Sequence, residues 1–245
     1  MMMKISNFDK KGKIMLLIDN TSKLKNVMEF KSGSYYKFVA LIRAKDYKDS
    51  NEQVLASMEK QEILVRDWMI DSEEMLNKLL PDMLKYTELF KCRLYMCTDR
   101  KNVVKTLIQM RNKIQIYLDQ FLSNPNAPQC SIRSLRKIGA SASNISESSD
   151  KSCCKWLFDV DTKNKNVLKF IKEKICGENY LETFETKAGY HVLAQKKFPL
   201  VLNEYESEFD YLRNKFPEIS VSTISSYVSD VNVKENAMVL IAMGE

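Results

Sequence analysis

With 245 residues, 44% hydrophobic and 29% charged, the chain has enough apolar material for a full core and a charge density typical of a water-exposed globule. Its longest apolar runs, residues 14–18 and 238–243, fall far short of the roughly 20 residues a membrane-crossing helix needs, and the first residues lack the apolar stretch and cleavage site of a secretory leader; a cytoplasmic protein with no membrane partner is expected. A formal net charge of +6 permits a polyanionic partner such as nucleic acid without requiring one.

In chain order, residues 14–18 and 38–42 form short apolar runs that predict strands. Between Glu52 and Phe90 apolar residues recur at helical spacing, with Pro81 as a break or kink, which predicts a helical region able to dock a protein partner. Residues 92–97 alternate as a strand, Thr98 and Asp99 offer a helix cap, and residues 103–121 carry an apolar helical stripe. From Ser123 to Ser152 the composition turns to Ser, Asn and Pro, the signature of a flexible loop. A strand at 156–161 follows, then a helix over 164–175 closed by Gly177, then strands at 180–185 and 190–194 joined as a hairpin around Lys187, Ala188 and Gly189. A helix over 203–215 and strands near 226–233 and 238–242 complete the reading. This order predicts an α+β fold with helices packed on a mixed sheet, divided into an N-terminal strand-and-helix region (1–90) and a core (91–245).

The six cysteines, without a secretory leader, read as reduced thiols. Zinc on Cys153, Cys154, Cys176 and His191 is disfavoured because adjacent cysteines make poor tetrahedral ligands. One histidine, no Gly-x-Ser-x-Gly elbow and no P-loop pattern leave little room for serine-type or Walker-type chemistry.

The stretch that points to chemistry is Trp156-Leu157-Phe158-Asp159-Val160-Asp161. Side chains alternate along a strand, so Asp159 and Asp161 share one face at its end, where two close carboxylates call for a cation with a preference for oxygen, Mg²⁺ or Mn²⁺. Thirty residues after Asp161 stands the only histidine, in Gly189-Tyr190-His191. Basic residues at Arg133, Arg136 and Lys137, and at Lys196 and Lys197, are candidate phosphate contacts.

Asp159-x-Asp161 followed by Gly189-x-His191 resembles the first two motifs of the archaeo-eukaryotic primase superfamily, which includes primase-polymerases of phages and mobile elements. The resemblance spans about 75 residues, from Trp156 to Asp230. It implies an RRM-like, primase-like catalytic core in which Asp159 and Asp161 hold divalent metals and His191 contacts the phosphates of an incoming nucleoside triphosphate. Lys187, Gly189, Lys196 and Lys197 are then candidates for the substrate side, and Asp230 for a third metal ligand, although a serine precedes Asp230 where the family has an apolar residue. The implied activity is metal-dependent nucleotidyl transfer in DNA replication. The departure at Asp230 keeps open a non-catalytic nucleic-acid-binding accessory or host-interaction protein of such an element.

Overall fold

The computed structural model describes residues 16–43, 46, 62–124, 138–196, 231–234 and 237–244. These form an α+β fold of two antiparallel sheets with helices against them. The chain runs β1 (Leu16–Asp19), α1 (Leu24–Val27), β2 (Ser34–Arg43), β3 (Glu62–Ile70), α2 (Glu73–Leu89), β4 (Arg93–Cys97), β5 (Lys101–Asn102), α3 (Val103–Ser123) and α4 (Ile138–Asn144). It continues with β6 (Lys155–Val160), α5 (Lys165–Phe170), which widens into a π-helical stretch over Ile171–Cys176, β7 (Tyr180–Glu185), β8 (Tyr190–Gln195), β9 (Val231–Lys234) and β10 (Met238–Gly244). The first sheet has the order β1-β10-β4-β2-β3, with β5 added against β2; the second has the order β7-β8-β6-β9.

Alternation explains how the second sheet divides its faces. Phe158, Val160, Val192 and Ala194 pack against Val167, Ile171 and Ile175 of the α5 segment, all buried. The intervening residues Leu157 and Leu193 turn the other way and join Phe184 in the main core with Phe38, Leu94, Met96 and Ile241 of the first sheet. Asp159 and His191 continue that second row.

Several expectations need correction. All described strand pairs are antiparallel, so the sheet is not mixed, and there are two sheets instead of one. Residues 62–70, read as helical, are a strand paired along its length with β2, because a short apolar run satisfies either period until a partner strand is known. Pro81 lies inside α2 and does not end it; both Pro81 and Asn77, whose carbonyl loses its intrahelical donor, are exposed, so water can serve that carbonyl. α3 is capped by the Asn102 side chain, which accepts from the Lys105 N–H at 2.9 Å, and not by Thr98 or Asp99. β4 and β10 lie in the first sheet beside β1, β2 and β3 from the N-terminal region.

The serine-rich stretch is also structured over residues 138–152. Buried basic residues supply the reason: Lys37 Nζ donates to Ser143 Oγ (3.1 Å), Asn144 Oδ1 (2.9 Å) and the Ala140 carbonyl (3.2 Å), while Lys101 Nζ donates to Ser149 Oγ (2.9 Å). Arg100 pairs with Asp150 at 2.9 Å. Buried cations need acceptors, and the hydroxyls and carbonyls of this segment provide them.

The two sheets are also stitched by Asn20, which is 1% exposed. Its Nδ2 donates to the carbonyls of Glu185 (2.9 Å) and Leu240 (3.1 Å), and its Oδ1 accepts from the Glu185 N–H (3.0 Å). Replacing Asn20 by leucine strands these buried groups, so a loss of about 3 kcal/mol in urea unfolding is expected; a variant as stable as the parent would mean that the seam does not bind the sheets.

Candidate active site

The carboxylate and histidine motifs meet in the second sheet. β6 and β8 pair antiparallel with Asp159 directly opposite His191 and Leu157 opposite Leu193, so the two motif side chains stand side by side on one face. β9 lies on the other side of β6, with Leu157 opposite Lys234 and Asp159 opposite Asn232. That register brings Lys234 diagonally to Asp159.

Two groups engage the Asp159 carboxylate. His191 Nε2 lies 3.2 Å from Oδ1, and Lys234 Nζ donates to Oδ2 at 2.5 Å. On its other side, His191 Nδ1 accepts the Leu240 backbone N–H at 3.1 Å. An N–H requires a lone pair, so the neutral imidazole carries its proton on Nε2, directed at Asp159. Burial acts to raise the Asp159 carboxyl, but the hydrogen bonds from His191 and Lys234 and the charge of Lys234 outweigh it and hold the group well below the usual carboxylate range.

The hairpin between β7 and β8 sits on the end of β6. Thr186 N–H donates to the Gly189 carbonyl at 3.0 Å, and Gly189 N–H to Thr186 Oγ1 at 2.9 Å. A Cβ on Gly189 would lie 1.9 Å from the Val160 carbonyl oxygen and 2.7 Å from the Thr162 nitrogen. Glycine is therefore required here for approach to the chain's own backbone around Asp161, which ties the two motifs together.

Asp159, Asp161, His191 and Lys187 line a pocket of about 390 Å³ between the two sheets. The facing wall comes from the first sheet: Arg93 makes a bidentate pair with Asp46, Arg43 pairs with Glu62 at 2.9 Å, and both guanidinium groups donate to the Tyr95 hydroxyl at 3.3 Å. Counting Lys187 and Lys234, four basic side chains line this pocket against four carboxylates, those of Asp46, Glu62, Asp159 and Asp161. A polyanion entering so balanced a space must bring cations with it.

The other expected site residues lie elsewhere. Lys196 is just past the far end of β8, where its Nζ sits 4.4 Å from the centre of the Trp156 ring, away from the pocket. Lys197 and Asp230, and the basic cluster at Arg133, Arg136 and Lys137, fall outside the described residues. Sequence reasoning missed Lys234, Arg43, Arg93 and Tyr95. For Lys234 a signal existed: residues 231–234 alternate apolar and polar, so the predicted strand ending at 233 needed one more residue.

Asp159 and Asp161 are hard oxygen donors of the kind that hold Mg²⁺ or Mn²⁺, ions that take one or two carboxylates and fill their remaining positions with water and phosphate. The ammonium on Asp159 marks that carboxylate as a place that draws a cation. Among the described residues no group of three or more His, Cys, Asp or Glu is arranged to hold a metal, so a cation here rests on few protein ligands. The five cysteines among the described residues are free thiols; burial pushes Cys92 up to about 11 and Cys176 up to about 12. No helix among them is long and apolar enough to cross a membrane. Comparisons with protein-family models, curated proteins and solved structures found no match.

The depressed Asp159 carboxyl gives a signed pH dependence. Its ionised form contributes stability at pH values above the unfolded carboxylate value of about 4, and that contribution is lost as pH falls through the lower folded value. Asp159→Asn is expected to lose about 1–3 kcal/mol at pH 7 in urea unfolding, with the gap to the parent closing only in acid below about pH 4. A gap that stays constant through acid would contradict the assignment.

Proposed function

We propose that this chain is a divalent-metal-dependent nucleotidyl transferase of the primase-polymerase type, acting on nucleoside triphosphates and nucleic acid through an RRM-like core. The observation that carries this reading is the pairing of Asp159 with His191 on adjacent strands, both facing a pocket that also receives Asp161 and Lys187. Its volume falls within the range of small-molecule sites.

In the proposed reaction a 3′ hydroxyl oxygen bonds to the α-phosphorus of the triphosphate, the bond from that phosphorus to the bridging oxygen breaks, pyrophosphate leaves with the electron pair, and the hydroxyl proton passes to solvent. Mg²⁺ or Mn²⁺, when bound, neutralises phosphate charge and favours the ionised attacking oxygen. Asp159 and Asp161 would hold the cation. His191, whose Nε2 proton is directed at Asp159, holds that carboxylate in place; Lys187, on the hairpin tip, adds a positive charge at the pocket. Arg43 and Arg93 on the opposite wall are held in place by Tyr95 and their carboxylate partners, and serve to position a phosphate backbone.

A second reading is favoured by one observation, the ion pair between Lys234 and Asp159: a lysine that permanently replaces the metal would leave a nucleic-acid-binding accessory protein without chemistry. Calorimetry separates the two. Mn²⁺-dependent binding of a nucleoside triphosphate is expected for the parent and at least tenfold weaker for Asp159→Ala/Asp161→Ala. No nucleotide binding by the parent, with nucleic-acid binding intact in the double variant, would establish the accessory role instead.

A further inference from the structure

Both oxygens of Asp159 are engaged, one by a neutral donor and one by a cation. Lys234 reaches Oδ2 from β9, and its side chain is 42% exposed while that of Asp159 is 19% exposed, so the ammonium lies on the open side of the carboxylate. A divalent ion that uses Oδ2 of Asp159 meets Lys234 there, while His191 engages Oδ1. An ammonium and a dication cannot share that oxygen at contact distance without strong repulsion.

We propose that Lys234 is a tethered cation that occupies the metal position on Asp159 and is displaced when a divalent ion binds. The inference rests on the nucleotidyl-transfer reading only in taking Asp159 as a metal ligand. The flexible four-carbon stem and partial exposure of Lys234 let it leave without disturbing β9. The displaced ammonium remains at the pocket, where a triphosphate arriving with the metal gives it a new partner. Metal alone therefore binds weakly, because it must evict the lysine into solvent; metal with triphosphate binds well, because the lysine exchanges a carboxylate for a phosphate. The lysine makes uptake of the two ligands cooperative.

The test is a Mn²⁺ titration without nucleotide, followed through paramagnetic broadening of the single imidazole of His191, a signal with no other histidine to overlap it. Lys234→Met is expected to bind Mn²⁺ about tenfold more tightly than the parent, Lys234→Arg to bind it as weakly as the parent, and Asp159→Asn to abolish the broadening. Adding a nucleoside triphosphate is expected to tighten Mn²⁺ binding more in the parent than in Lys234→Met. Equal Mn²⁺ affinity in the parent and Lys234→Met, still lost in Asp159→Asn, would overturn the tethered cation and leave the metal site standing. Absence of broadening in all the proteins would overturn both.

Discussion

The peptide of Leu240 is the point on which the arrangement of the molecule depends. β10 belongs to the first sheet, yet at Leu240 its N–H turns to His191 of the second sheet and its carbonyl to Asn20, whose side chain also reaches Glu185 of the second sheet. The ladder between β10 and β4 shifts register between Leu240 and Ala242, as it does where a strand bulges. Two sheets that meet only through apolar side chains can slide. Here directional bonds to one backbone position set their relation, and the pocket between them inherits that definition.

The same bonds organise the chemistry. A histidine whose Nδ1 is held by a backbone donor can present only Nε2, and Nε2 finds Asp159. Asp159 is held in turn by Lys234, and Asp161 lies beside the hairpin through the close approach of Gly189 to the backbone after Val160. The site is a chain of contacts running from the first sheet through β8 and β6 to β9. Rigid strands carry these side chains, which is how a geometry suited to charge stabilisation is held ready in advance. The opposite wall follows the same logic, with Tyr95 accepting from two arginines whose carboxylate partners neutralise them.

How much of this was legible in the residues depended on whether a signal was local. The hairpin around Gly189 was legible because it needs only its own neighbours, whereas β6 ends at Val160 and Asp161 reaches the pocket from just beyond the strand. The α5 helix and β10 were legible for the same reason. Arg43, Arg93 and Tyr95 enter the pocket through pairings between distant strands and nothing in their local sequence marks them, whereas Lys234 was marked only by the alternation of residues 231–234. Asn20, directly after β1, is a polar tie between the sheets that its local sequence did not mark. Composition misled at residues 138–152, where serines that suggest a loose linker are acceptors for Lys37 and Lys101. At residues 62–70 the apolar run was compatible with either period, and only the pairing with β2 decides.

The order of strands in the first sheet, β1-β10-β4-β2-β3, carries a consequence for how the molecule is made. β10 is the last described strand in the chain, and it lies between β1, among the first, and β4. Among the described strands β1 has no other partner and one edge of β4 stays open until Met238 and its successors emerge, while His191 and Asn20 wait for the same residue. Closure across 220 residues is slow and entropically costly. The first sheet, and the wall it gives to the pocket, are therefore completed only once β10 is made.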